Sequence, residues 1–375
     1  MSYVDRESAP GPKRLLALDG GGMRGALTLE VLAALEAMVR RETGGDDSFV
    51  LGDWFDYIAG TSTGAIIAAA LAWGMPVRRI KELYHTLGGK MFRKPIFPRR
   101  FWYRYRADAL SATLREVFGE ATLGDARLRT LLMMVLRNET TDSPWPLSNA
   151  TGARFNDRSR PDCNLDLPLW QLVRGSTAAP IYFPAEVIRV GGRRLVFADG
   201  GLTSFNNPAF QLFLMATLNA YGLSWPAGVD SLLLVSVGTG YHPNAQENLK
   251  LSRLHVLHNV RSAPSALMFA ALMQQDALCR IFGRCLVGGE IDSELGDLKA
   301  ESSPDHRELF TYLRYNADLS VAGLAALGLG GLDSAQLRRL DSVGSIADLE
   351  AVGRAVVDRD LRSEHYRPFL RAPYR

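Results

Sequence analysis

The pentapeptide Gly60-Thr61-Ser62-Thr63-Gly64 constrains this chain more than any other stretch. Before it runs Trp54-Phe55-Asp56-Tyr57-Ile58-Ala59, a short, mostly apolar segment that reads as a buried strand. After it runs Ala65 to Trp73, an Ala-rich segment that reads as a buried helix. A Gly-x-Ser-x-Gly held between a strand and a helix has the form of a nucleophile elbow. The serine sits on a tight, strained turn, and the flanking glycines let strand and helix approach without Cβ clashes. Its hydroxyl is lifted to the carboxyl end of the sheet, at the positive end of the following helix. The plainer alternative is a strand-to-helix turn with a capping Ser or Thr.

A second glycine cluster lies upstream. Arg14 to Leu18 reads as a short apolar strand, and it runs into Asp19-Gly20-Gly21-Gly22-Met23-Arg24-Gly25. From Ala26 to Arg40 the spacing of Leu27, Val31, Ala34, Leu35 and Met38 predicts one apolar helix face. Two functions suit this loop. Gly20, Gly22 and Gly25 satisfy G-x-G-x-x-G, the dinucleotide fingerprint, with Glu42, Asp46 and Asp47 near the expected acidic position. Those acids fall in a polar segment and not at a strand end. The other function is an oxyanion hole: consecutive glycines leave backbone N–H groups unscreened and free to face a developing negative charge. Arg24 then adds a fixed positive charge or braces the loop. A glycine turn needed only for packing is the plainer alternative. The serine elbow downstream favours the oxyanion hole.

Further along, Leu131 to Leu136 reads as a central strand, and Ser143 to Asn164 as a long polar loop. Leu169 to Ala179 reads as a helix that ends before Pro180, and Ser176 near its end as structural. Leu195 to Ala198 reads as a strand that ends in Asp199-Gly200-Gly201. An acid at a strand end is placed to reach a site beyond the carboxyl ends of an α/β sheet, although a turn-forming Asp is the simpler reading of Asp199 alone. Ser231 to Val237 is nearly unbroken apolar sequence, as expected of a parallel strand covered on both faces, and it ends in Gly238-Thr239-Gly240.

Composition narrows the class. A chain of 375 residues with 47% hydrophobic and 22% charged residues can bury a sizeable core, and a net charge of +3 selects no partner. Three cysteines without a CxxC pair argue against a disulfide framework and for a reducing compartment. No signal peptide is read at the N-terminus, and no apolar run approaches the length of a membrane span. Local charge stands out only at Met91 to Arg106, MFRKPIFPRRFWYRYR, where Arg and aromatic side chains interleave without an acid. That mixture suits first a Pro-broken loop that buries its rings, next an anionic lipid surface, and last single-stranded nucleic acid.

The ordered set Asp19 to Gly25, Gly60 to Gly64 and Asp199-Gly200-Gly201, supported by Ala178 to Pro184 and Ser236 to Gly240, resembles the patatin-like phospholipases. The resemblance spans about Arg14 to Gly240. It implies a lipid acyl hydrolase working through a Ser–Asp dyad: Ser62 as nucleophile, Asp199 as general base, and Gly20, Gly21 and Gly22 as an oxyanion hole beside Arg24. Gly25, Gly60, Gly64, Gly200 and Gly201 are the remaining motif glycines. The substrate is a phospholipid or another acyl lipid, and no cofactor or metal is required. His242, just past the Gly238-Thr239-Gly240 turn, keeps a Ser–His–Asp triad open. The alternatives are a nucleotide-binding module and a non-catalytic lipid-binding protein of the same fold.

The expected architecture is a three-layer α/β/α sandwich with a mostly parallel central sheet and a helical C-terminal extension. Residues 1–13 are expected to be flexible, 14–300 to form the hydrolase domain and 301–375 the extension. The expected setting is cytoplasmic, with peripheral contact to the inner face of the membrane through residues 91–106. A regulatory small molecule is allowed by the resemblance, and the oligomeric state is left open.

Overall fold

The computed structural model describes residues 2–91, 105, 108–180, 182–242 and 256–370. Apart from Met91 and Tyr105, the basic aromatic stretch lies outside these residues. In chain order, α1 (Tyr3–Ser8) precedes β1 (Lys13–Leu18), α2 (Gly25–Thr43), α3 (Leu51–Trp54) and β2 (Tyr57–Thr61). Then come α4 (Thr63–Ala72), α5 (Val77–Met91), α6 (Asp108–Phe118), β3 (Leu131–Asn138) and β4 (Ser143–Ser148). Next are α7 (Leu169–Ser176), β5 (Glu186–Val190), β6 (Arg193–Asp199), α8 (Ala209–Thr217) and β7 (Leu232–Val237). The chain continues through α9 (Val256–Phe282), β8 (Arg284–Val287), β9 (Thr311–Tyr315), α10 (Val321–Ala326), α11 (Ser334–Leu337) and α12 (Ile346–Asp360).

The strands form one sheet, ordered β5-β6-β3-β2-β1-β7-β9-β8 with β4 also on β3. From β8 across to β3 the strands run parallel; β4 and β6 run antiparallel to β3, and β5, antiparallel to β6, returns to the direction of the main set. β1, β2 and β7 are buried along their whole length, so their near-continuous apolar sequence reflects cover on both faces. One helical layer is built from α2, α4, α5, α6, α7 and α12, the other from α8 and α9. This is the three-layer α/β/α sandwich with a mostly parallel sheet, and the C-terminal region is largely helical as the sequence implied.

Four local expectations are revised. The N-terminal residues are not a loose lead-in: α1 docks, and buried Arg6 bonds Asp56 Oδ1 at 3.2 Å and the carbonyls of Gly52 and Asp53. The strand before the elbow starts at Tyr57, not Trp54, because Asp56 turns inward to take the amide and guanidinium of Arg14. The supposed loop at Ser143 opens with β4, whose Pro144 and Pro146 are tolerated because an edge strand leaves one side without ladder bonds. Finally, the C-terminal region also supplies β9 to the sheet, and with it Arg314.

Strand β3 explains how the site is assembled. Met133 pairs with Ala59 of β2 and Ser148 of β4, so β2 and β4 occupy opposite edges of β3. Leu136 pairs with Trp145 of β4 and Asp199 of β6, so β6 also lies opposite β4. Strands β2 and β6 therefore share one edge. The last residue of β2, Thr61, stands against Val135, and the last residue of β6, Asp199, stands against Leu136. Two strands running in opposite directions meet end to end on consecutive residues of a third.

Candidate active site

Ser62 follows β2 directly and caps α4 at φ 55° and ψ −122°. A positive φ is costly for any residue with a Cβ, by about 1–3 kcal/mol, and persists only where the surroundings enforce it. The elbow is too tight for side chains at its flanks: a Cβ on Gly60 would lie 2.1 Å from the Gly64 carbonyl oxygen. Ser62 Oγ donates to Asp199 Oδ2 at 2.6 Å, across 137 residues of sequence. The other carboxylate oxygen, Oδ1, accepts the Gly201 amide at 2.7 Å. Asp199 is only 5% exposed. Burial pushes its pKa up to about 6, against the opposing pull of the Ser62 and Gly201 hydrogen bonds and the Arg174 charge. A carboxylate so placed can take the hydroxyl proton near neutral pH.

The glycine loop after β1 approaches the serine closely. A Cβ on Gly20 would stand 3.2 Å from Ser62 Cβ, and one on Gly21 only 2.1 Å from Thr239 Oγ1. Its amides are not equivalent. Gly20 N donates to the Asn206 carbonyl at 3.1 Å and Met23 N to the Leu340 carbonyl at 2.8 Å. The amides of Gly21 and Gly22 donate to no acceptor among the described residues. Tyr84 ties the loop to the elbow: its hydroxyl bonds the Gly22 carbonyl and lies 3.0 Å from Thr63 Oγ1. Arg24 lies beside the loop, its Nε 3.5 Å from the Gly21 carbonyl oxygen, and burial pushes its pKa down to about 10.

Behind the loop, Asp19 is fully buried and gripped by Arg314 of β9, Nη1 to Oδ1 at 2.9 Å and Nη2 to Oδ2 at 2.6 Å. Arg314 also donates to Ser236 Oγ at 2.7 Å. Thr239 Oγ1 donates to the Gly20 carbonyl at 3.0 Å. Asn206, Thr239, Arg314 and Leu340 therefore support the site without being singled out as site residues by the sequence. The Asn206-Asn207-Pro208 and Gly238-Thr239-Gly240 turns are visible signals. Nothing in the sequence around Arg314 or Leu340 marks them.

The histidine and nucleotide alternatives fare differently from the dyad. Among the described residues no histidine bonds Ser62 or Asp199; His242 Nε2 lies 3.1 Å from Ser334 Oγ instead. Glu42, Asp46 and Asp47 sit at or beyond the far end of α2, roughly 25 Å along the helix from the glycine loop at 1.5 Å per residue. They cannot serve a ribose bound at that loop. Among the described residues no group of three or more His, Cys, Asp or Glu side chains could hold a metal ion, and no helix is long and apolar enough to cross a membrane.

The family model described as patatin-like phospholipase matches residues 16–213. The chain belongs to the patatin-like phospholipase family. It is 31% identical over 255 residues to an intracellular phospholipase A2 of Caenorhabditis elegans, covering 66% of this chain and 21% of that protein. It is 32% identical over 240 residues to a cGAMP-activated phospholipase of Vibrio cholerae, covering 60% of this chain and 64% of that one. The chain thus spans less than two thirds of either relative. Among solved structures, VipD from Legionella pneumophila matches with a TM-score of 0.34 and 17% identity, over 92% of this chain and 67% of that one.

Closing the free amides tests the loop directly. In Gly21→Ala the new methyl must displace Thr239, so the two unspent N–H groups move relative to Ser62. The expected result is a fall in kcat of about 10²–10³-fold, the scale for losing an oxyanion donor, read by steady-state ester hydrolysis. A folded Gly21→Ala protein with unchanged kcat would separate this loop from the chemistry.

Proposed function

We propose that the chain is a lipid acyl hydrolase of phospholipase A type. The 2.6 Å contact between Ser62 and Asp199 carries this reading. Asp199 takes the hydroxyl proton as Ser62 Oγ bonds to the ester carbonyl carbon. The carbonyl oxygen becomes an oxyanion and is received by the amides of Gly21 and Gly22, with the α4 dipole behind the elbow. Collapse breaks the bond to the alcohol, and the departing oxygen takes the proton from Asp199. Water then repeats the sequence on acyl-Ser62 and releases the fatty acid, returning Ser62 and Asp199 to their starting states. No step calls on a cofactor.

The lipid part of the reading rests on family membership and on the relatives' descriptions as phospholipases. The sequence of residues 91–106, basic and aromatic with no acid, has a composition suited to an anionic leaflet, in keeping with an enzyme working peripherally at the cytoplasmic face. The test is fatty-acid release from mixed phosphatidylethanolamine and phosphatidylglycerol vesicles, with and without cGAMP, because one relative is described as activated by that nucleotide. Release of free fatty acid, with Ser62 labelled by a fluorophosphonate, is the expected result. No release under either condition and no labelling of Ser62 would defeat the proposal.

A further inference from the structure

We propose that Ser176 is a positioning residue: its buried hydroxyl completes the β2–β3 ladder at the elbow and so fixes where the Ser62 side chain points. The inference rests on the reading of Ser62 as nucleophile.

The ladder pattern shows what the hydroxyl replaces. In a parallel pair every second residue of one strand bonds on both sides. Here Leu131 stands against Tyr57, and its amide donates to the Asp56 carbonyl at 3.2 Å. Repeating that pattern two and four residues on, the next rungs fall at Met133 and Val135, and the rung beyond Thr61 joins the Ser62 amide to the Val135 carbonyl. That direct bond is not made. The Ser62 amide donates to Ser176 Oγ at 3.0 Å, and Ser176 Oγ donates to the Val135 carbonyl at 2.6 Å. One hydroxyl is inserted in the rung, and Ser176 is wholly buried there.

The insertion falls where the ladder must part. Beyond Thr61 the chain leaves the strand through the positive-φ turn, and β6 arrives on the same edge of β3. Gly200 comes so near that a Cβ on it would lie 2.2 Å from the Val135 carbonyl oxygen. The same segment also holds the base: the Asp199 amide donates to the Ala178 carbonyl at 3.1 Å. Residues 176–178 at the end of α7 thus grip both partners of the 2.6 Å contact, one through a side chain and one through the backbone. Ser176 is not a rival nucleophile, since its hydroxyl is committed as donor and as acceptor.

The full-length chain tests this with Ser176→Ala, Ser176→Thr and Ser176→Cys. Reaction geometry is sensitive on the ångström scale, so Ser176→Ala is expected to lower kcat by about 10- to 100-fold on a soluble p-nitrophenyl ester with KM unchanged. The acid limb of the pH profile stays in place. Amide hydrogen exchange at Ser62 is expected to quicken, while the amides within β2 keep their protection. Ser176→Thr, which keeps the hydroxyl, is expected to restore both readouts to within about threefold, for the same geometric reason. If Ser176→Ala does not fold, Ser176→Cys carries the same comparison. Wild-type exchange at Ser62 together with wild-type kcat in the folded variant overturns the inference. So does a loss in which Ser176→Thr is no better than Ser176→Ala. If the wild-type chain cleaves no ester, it is the hydrolase reading that fails, and the exchange comparison still decides whether the hydroxyl bridges the rung.

Discussion

Ser62→Ala and Asp199→Asn are each expected to cut ester hydrolysis by about 10⁴-fold or more, because parts of one nucleophilic unit do not substitute for each other. The two losses differ in kind. Under the proposed mechanism Ser62→Ala removes the atom that forms the acyl bond, so fluorophosphonate labelling disappears with turnover. Asp199→Asn keeps a hydrogen-bonding side chain 2.6 Å from the hydroxyl but removes its proton acceptor. It should bind substrate with near-normal KM and fail in kcat. The wild-type rate should fall as pH drops through about 6, because protonation disables the base, and level off above it. Stability gives an independent check on sign. A carboxyl group whose folded pKa is raised from about 3.8 to about 6 lends stability at low pH, which is lost as pH rises through 6. Asparagine carries no such loss. Asp199→Asn should therefore melt no lower than wild type at pH 8, which separates loss of chemistry from loss of fold. An Asp199→Asn protein with half the wild-type rate would remove the aspartate from the mechanism.

Replacing Arg314 with methionine is expected to cost about 3–5 kcal/mol, the scale for stranding one charge of a buried pair. Asp19 and Arg314 are at most 1% exposed, so neither can turn to water. The substitution also strips Ser236 Oγ of its 2.7 Å donor. Urea unfolding should show a lower midpoint with little change in slope. The double variant with Asp19→Asn should recover much of the loss, since no net charge is then left in the core. Equal destabilisation in the single and double variants would argue against the ion pair as the cause. Because Asp19 opens the glycine loop and Arg314 sits on β9, this pair also makes the C-terminal third part of the site's support.

The sequence was most readable where backbone geometry restricts residue choice. Gly60, Ser62 and Gly64 announce a turn that few other residues could make, and the Asp19 to Gly25 run announces bare amides. Asp199 is legible only in part. The sequence marks it as an acid at the end of a strand in an α/β sheet, and it does end β6, but β6 runs antiparallel to β3 and meets β2 head-on. The register that brings this about lies in β3, whose apolar sequence carries no trace of it. Residues acting through the backbone were the least readable. Leu340 contributes only its carbonyl oxygen, so its side chain holds no information about that contact. Ser176 shows one hydroxyl and no motif, and its place in the ladder appears only when three strands and a helix are assembled. Gly20 was grouped with its neighbours as an amide donor, whereas its N–H is committed to Asn206. Composition cannot tell adjacent glycines apart.

The head-on meeting of β2 and β6 also sets which changes in chain length the molecule can absorb. In the loop after β4, residues gained or lost at the exposed positions 157–161 need not alter where β6 lands on β3, whereas β5 and the end of α7 are tied to β6 and the elbow. A single residue inserted between Leu195 and Asp199 is another matter, because neighbouring side chains of a strand face opposite ways. It would send the carboxylate to the wrong side of the sheet while every recognisable motif remained spelled correctly.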